Sequence, residues 1–352
     1  MQNFKLENII RKNILNLEPY SCARDEFKGT EGVFLDANEN PFGNLNRYPD
    51  PYQTKIKAKL KQLNGVNENM IFVGNGSDEV IDITYRIFCY PGTDKALMFT
   101  PTYGMYKVSA QINNIEVIEI PLNKDFQIET TLLAKHLQDT NLKLIFICSP
   151  NNPTGNIINT GDIEFILKNF NGIVFVDEAY IDFTASQSLI NKLDVYPNLI
   201  VSQTLSKSRA LAAARIGIAY SSPEIIGYFN KVKPPYNISG PNQKAALETL
   251  NNTEEYEKRV TLLIDERKKL EIELKKISIV KKIYPSEANF LLVEFSDANA
   301  VYSELINKKI ITRNRNSVIS NCIRITVGTP EENSELLKAL RNFATQNIFH
   351  RN

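Results

Sequence analysis

A chain of 352 residues, 43% hydrophobic and 23% charged, has the make-up of a folded globular protein with room for one large unit and a smaller one. A formal net charge of +1, with no basic block, argues against nucleic acid or a membrane surface as its main partner. Two histidines (His136, His350) and four cysteines without paired spacing (Cys22, Cys89, Cys148, Cys322) give no basis for a metal site, and the thiols read as reduced core residues. The N-terminus, Met1 to Asn8, lacks an apolar leader, and no window approaches ~18 uninterrupted apolar residues, so the expected location is cytoplasmic.

In chain order, an apolar strand at residues 70–73 runs into a glycine turn and a helix over 78–88. Further apolar strands follow at 95–99, 116–120, 142–148, 173–176 and 199–202. Short apolar strands separated by helices predict a mainly parallel sheet covered on both faces. Ligands of such sheets sit beyond the carboxyl ends of the strands. The pattern changes near Thr249: Val260, Leu263, Ile264, Leu270, Leu274 and Ile277 recur at helical spacing and predict one long helix from about 253 to 277. Beyond Pro285 come a strand at 288–295, a helix at 300–307, strands near Ile310 and Cys322, and a last helix after Pro330. The expected organisation is an N-terminal segment (1–45) packed on the smaller unit, a large domain (46–250) and a small α+β domain (251–352).

The polar motifs fall just after those strands. Gly74-Asn75-Gly76-Ser77-Asp78-Glu79 opens a helix, where free backbone N–H groups form an anion site. A tight turn alone explains it equally well. Pro101-Thr102-Tyr103 places an aromatic ring at a strand end, suited to stacking on a planar ligand or simply to packing. Asn151-Asn152-Pro153-Thr154-Gly155 is turn chemistry that also presents the Asn152 amide. Asp177 ends a strongly apolar strand, where an unpartnered carboxylate is costly, and Tyr180 follows three residues later. Thirty positions after Asp177 comes Lys207, between Ser206 and Ser208, with Arg215 beyond a run of small residues. An amine, a buried acid, a phenol and an arginine are the parts needed to hold pyridoxal phosphate: a Schiff-base lysine, a carboxylate for the ring nitrogen, and phosphate donors.

Together these motifs resemble the fold-type I, class II pyridoxal phosphate-dependent aminotransferases over nearly the whole chain. Leu17-Glu18-Pro19-Tyr20, the run Asp36 to Gly43, Arg47-Tyr48-Pro49, the Gly74 turn and the run Cys322 to Gly328 are similar, as a set, to the histidinol-phosphate aminotransferase subgroup. The resemblance implies an α/β fold with a mainly parallel seven-stranded sheet in the large domain and a smaller α+β domain, the N-terminal segment lying at the substrate entrance. It implies Lys207 as the Schiff-base lysine, Asp177 against the pyridinium nitrogen, and Asn152 with Tyr180 on the ring's phenolate oxygen. Ser206, Arg215 and the amides of Ser77 and Asp78 beside Gly76 would hold the phosphate. Tyr48 would reach the phosphate bound in a partner subunit, making a homodimer. Arg324 matches the arginine that takes a substrate anion, with Tyr20, Asn40 and Arg313 as further substrate contacts and Arg315 as a rival to Arg313.

The implied reaction converts L-histidinol phosphate and 2-oxoglutarate to imidazole-acetol phosphate and glutamate, a step of histidine biosynthesis. An aromatic amino-acid aminotransferase and a threonine-phosphate decarboxylase remain as alternatives on the same fold. A regulator of this fold would need a basic DNA-binding domain ahead of the Gly74 turn, and the residues there match the aminotransferase pattern instead.

Overall fold

The computed structural model describes residues 4–20 and 32–349. Its larger sheet has seven strands: β1 (Ile71–Asn75), β2 (Lys95–Thr100), β3 (Glu116–Pro121), β4 (Leu142–Cys148), β5 (Ile173–Asp177), β6 (Leu199–Thr204) and β7 (Ile216–Tyr220), side by side in the order β1-β7-β6-β5-β4-β2-β3. Strands β2 to β6 pair in parallel, and β7 runs antiparallel between β1 and β6. All five residues of β5 and six of the seven in β4 are buried, because helices cover both faces.

Alternation along the strands divides the core in two. Ile145, Ile147, Val174 and Val176 face helices α2 (Thr54–Asn64), α5 (Thr160–Asn169) and α7 (Gly240–Asn251). Leu144, Phe146, Cys148, Ile173 and Phe175 face α1 (Lys12–Leu15), α3 (Ser77–Phe88), α4 (Met105–Ile112) and α6 (Pro223–Val232). Helix α8 (Thr253–Leu274) leads to the smaller unit, where β8 (Val280–Ile283), β9 (Phe290–Phe295), β10 (Arg313–Asn314) and β11 (Cys322–Thr326) form an antiparallel sheet in the order β10-β11-β9-β8. Helices α9 (Ala298–Asn307) and α10 (Pro330–Phe349) cover it, with α8 completing its core. Tyr180 and Phe183, just after the central strand β5, pack with Val260, Ala288 and Phe290, joining the two units at the point where the polar motifs lie. Among the described residues, no helix is long and apolar enough to cross a membrane.

Ser222, Ser239, Asn252 and Asp297 each stop the chain and start a helix by accepting the N–H three residues on. The N-terminal segment corrects its sequence expectation. Ile9, Ile10 and Ile14 are buried with Ile83, Ile87 and Phe229, and the Arg11 amide donates to the Ile87 carbonyl, so residues 4–17 pack on the large unit rather than the small one. The side chains at 9, 10 and 14 join the buried cluster that holds the apolar residues of α3 and α6. Residues 21–31 lie outside the described residues. The strand expected near Ile310 forms at Arg313–Asn314, and the long helix ends at Leu274.

Adjacent carboxylates at the end of β5 face opposite ways. Asp177 turns to the α4 side, while Glu178 is clamped by Ser188 Oγ at 2.5 Å, the Leu189 amide at 2.7 Å and Gln203 Nε2 at 2.9 Å. Burial pushes the Glu178 carboxyl from 4.5 up to about 7. An acid raised in the fold contributes stability that is complete below its unfolded pKa and lost as pH rises through the folded one. Relative to Glu178→Gln, the wild type is therefore expected to lose about 2–3 kcal/mol between pH 4.5 and pH 7.5 in denaturant titrations. Parallel curves for the two proteins would show that Glu178 ionises in the fold as it does in the unfolded chain.

Candidate active site

A cavity of about 250 Å³ opens at the carboxyl ends of β4, β5 and β6, and Arg324 of β11 closes it from the smaller unit. It is lined by Ser77, Asp78, Tyr103, Asn152, Asp177, Tyr180, Ser206, Lys207, Arg215 and Arg324, so residues from across the chain converge in one place.

The floor is a buried carboxylate. Asp177 Oδ2 accepts the Tyr106 hydroxyl at 2.7 Å, and Oδ1 accepts the Ala179 amide at 3.0 Å. Burial pushes this carboxyl up, while the Tyr106 hydrogen bond, the Ala179 amide and the Lys207 charge hold it down. Tyr106 escaped the sequence reading. The available signal was its position three residues beyond Tyr103, which returns a second phenol to the same side of the chain.

Lys207 stands on a short loop between two antiparallel strands. Leu211 N–H donates to the Leu205 carbonyl and Ala210 N–H to that of Lys207, while Ala210 and Arg215 take left-handed backbone at φ 56° and 53°. Non-glycine residues there carry strain that the surrounding packing must hold. The lysine remains accessible within the cavity, its Nζ 5.7 Å from the Tyr180 ring centroid. Its pKa is lowered by desolvation and by the nearby charges of Arg324 and Arg215, against the opposite pull of Asp177.

Anion-binding groups occupy the other end. Helix α3 starts at Gly76 (φ 80°) without the side-chain cap that helices α5 to α9 have, leaving its first N–H groups open toward the cavity. Ser77 Oγ is buried with no hydrogen-bond partner. Arg215 lies across Gly76 so closely that a Cβ there would meet Nη2 at 2.5 Å, and the same guanidinium reaches Asp78 at 3.5 Å. Tyr103 also donates to Asp78, at 3.2 Å.

Asn152 links the two units. Its Nδ2 donates to the Tyr180 hydroxyl at 3.3 Å, and its Oδ1 accepts from Arg324 Nη1 at 2.5 Å. Arg313 lies directly opposite Arg324 in the β10–β11 ladder. Arg315 is near enough that burial and the charges of Arg324 and Arg313 lower its pKa. The Nε atoms of Arg315 and Arg324 are buried without partners. Other expected contacts lie elsewhere in this chain. Tyr20 is 72% exposed, Asn40 is exposed and binds the Phe42 amide, and Tyr48 stacks on Tyr236 at 4.4 Å outside the cavity lining.

Residues 13–340 match the family model described as aminotransferase class I and II. A histidinol-phosphate aminotransferase from Christiangramia forsetii is 50% identical over 352 residues, covering 98% of this chain and 100% of its own. One from Cytophaga hutchinsonii is 48% identical over 347 residues, covering 97% and 99%. Among solved structures, the histidinol-phosphate aminotransferase of Sinorhizobium meliloti in complex with pyridoxal 5'-phosphate superposes with a TM-score of 0.79 at 21% identity, covering 88% of this chain and 90% of its own.

The electrostatics set a direction for Lys207. In cofactor-free protein its labelling by an amine reagent is expected to rise with a midpoint below 10.5, the ordinary lysine value. Arg324→Gln should move that midpoint up by removing a positive neighbour, and Asp177→Asn should move it down. Peptide-resolved mass spectrometry across pH reads all three, and a midpoint at or above the ordinary value would contradict the assignment.

Proposed function

Because the chain belongs to the aminotransferase class I and II family, we propose that it is a pyridoxal phosphate-dependent enzyme that transfers the amino group of L-histidinol phosphate to 2-oxoglutarate. The products are imidazole-acetol phosphate and glutamate, and the step belongs to histidine biosynthesis in the cytoplasm. The observation that carries the reading is the convergence of Lys207, Asp177 and an uncapped helix terminus in one cavity, on a chain half-identical to histidinol-phosphate aminotransferases along its length.

The residues fit the cofactor on their own chemistry. The orphaned Ser77 hydroxyl, the open N–H groups of α3, Ser206 and Arg215 make a dianion cradle. Asp177 supplies the buried negative charge a pyridinium nitrogen requires, and Asn152 with Tyr180 supplies donors for a ring oxygen. When bound, pyridoxal phosphate provides the aldehyde that carries the amino group and the electron-poor ring that makes a substrate C–H acidic.

This chain's side chains do the rest. Lys207, its pKa lowered from the ordinary lysine value, is the base that takes the proton from the substrate's α-carbon and delivers it to the carbon at the cofactor's aldehyde position. Tyr103 walls the cavity on one side and Ala179 lines it too, which keeps a planar ligand oriented and limits water. Arg324, hydrogen-bonded to a neutral amide, keeps donors for the substrate anion, with Arg313 and Arg315 adding positive charge nearby. One cationic patch that accepts either phosphate or carboxylate accounts for two unlike substrates.

The reading includes a homodimer in which Tyr48 serves the partner's site. Two observations support it: Tyr48 is 48% exposed away from its own cavity, and a crevice of about 730 Å³ lies between Phe34, residues 47–56 and α7. Val33, Leu35, Phe42 and Leu45, in the segment that leads to it, are exposed apolar side chains.

The test is a half-reaction. Cofactor-loaded protein mixed with L-histidinol phosphate alone should convert the cofactor absorbance to that of its amino form, and 2-oxoglutarate should restore it. Lys207→Ala should keep the cofactor yet lose nearly all turnover, and Arg324→Lys should lose roughly 10- to 100-fold in kcat/KM through lost bidentate contacts. Conversion by phenylalanine or tyrosine but not by histidinol phosphate would reassign the substrate. Carbon dioxide release from O-phosphothreonine would replace the reaction.

A further inference from the structure

Asp177 sits at the end of β5 with two donors of different kinds. The Ala179 amide is a neighbour in sequence, whereas the Tyr106 hydroxyl is delivered by α4 from 71 residues earlier. Both side chains are buried, Tyr106 at 0% exposure and Asp177 at 3%. The Tyr106 ring is locked by Phe146, stacked at 5.0 Å and 22°, and by the edge-on Tyr103 ring at 5.6 Å. Its hydroxyl donates to Asp177 Oδ2 at 2.7 Å, with the Cys148 thiol also within its reach. Burial and the neighbouring Asp177 charge push its own pKa well up, so it stays a donor at working pH.

We propose that Tyr106 is a positioning residue for the cofactor ring, holding Asp177 Oδ2 so that the carboxylate stays ionised and keeps its remaining lone pairs for the ring nitrogen. The other groups facing Asp177 do not substitute for it. The Cys148 thiol of β4 is kept neutral by burial, Asp78 of α3 repels the charge, and Lys207 contributes its charge but no hydrogen bond. Without the hydroxyl, burial favours the neutral acid, which cannot balance a protonated ring. Tyr106 then acts on the reaction only through Asp177, without touching substrate.

The proposal rests on the reading of the cavity as a pyridoxal phosphate site, and its test separates the two. Cofactor-free wild type, Tyr106→Phe and Tyr85→Phe would be titrated by equilibrium dialysis with pyridoxal phosphate and with its deaza analogue, in which the ring nitrogen is replaced by C–H. Tyr85 is a suitable control, because it belongs to the same aromatic stack but donates to the Tyr106 carbonyl. Tyr106→Phe should weaken pyridoxal phosphate roughly tenfold or more while leaving the analogue nearly unchanged. Tyr85→Phe should keep the wild-type ratio. In turnover, Tyr106→Phe should lower kcat with little change in the substrate KM, and adding it to Asp177→Asn should cost nothing further. Incorporating 3-fluorotyrosine at 106 gives the same comparison without loss of packing: the ratio of affinities should move while the melting temperature stays. Equal losses for both ligands, or full additivity with Asp177→Asn, would reduce Tyr106 to packing and overturn the proposal. Failure of the wild type to bind either ligand would overturn the underlying reading instead.

Discussion

A carboxylate with 3% exposure at the tip of an all-buried strand is the constraint around which this molecule is arranged. Removing such a charge from water costs several kcal/mol unless partners return the energy. The fold brings three: a hydroxyl from α4, an amide from the turn after β5, and the Lys207 amine from the loop after β6. Each comes from the segment after a different strand, and the parallel run β2-β4-β5-β6 places those strand ends side by side. The sheet thus delivers donors to one point, and the cavity opens beside it, where the proposed function seats a cationic ring.

The opposite pole of the site is held open in the same way. Helices α5 to α9 are closed by Ser, Asn or Asp caps, but α3 begins at a glycine and leaves its N–H groups to the cavity. Ser77 Oγ and the Nε atoms of Arg315 and Arg324 are buried without partners. Buried polar atoms left unpaired weaken a fold; those of Ser77 and Arg324 belong to residues that line the cavity, while others, such as those of Asn198 and Asn230, lie elsewhere. Arg324 also lowers the Lys207 pKa, so the group proposed for substrate binding tunes the group proposed for proton transfer.

Much of this was legible in the sequence, for a specific reason. A residue at the carboxyl end of an apolar run in an α/β chain is near the site wherever the strand falls in the sheet, so Asn152, Asp177 and Lys207 announce themselves. Tyr106 did not, because a tyrosine on an amphipathic helix is ordinary core until its hydroxyl partner is known. Strand β7 was missed because Ile216-Gly217-Ile218-Ala219-Tyr220 is short, holds a glycine, and follows a small-residue run that reads as packing. That glycine is required: a Cβ at Gly217 would sit 2.4 Å from the Gly76 carbonyl carbon and the Ser77 nitrogen, in the wall of the anion cradle. The N-terminal segment went to the wrong unit because three isoleucines fix that a face is buried, not against which partner. Tyr20, Asn40 and Tyr48 lie outside this chain's own cavity, and any role for them depends on neighbours beyond it.

The central claim is that Lys207 is the covalent anchor of the cofactor, and reductive trapping tests it most directly. Protein loaded with pyridoxal phosphate would be treated with borohydride, digested and mapped by mass spectrometry. The account predicts one stoichiometric adduct of reduced cofactor, on the peptide carrying Lys207, lost when excess inorganic phosphate competes during loading. An adduct on a different lysine, or tight binding with no adduct, would contradict it.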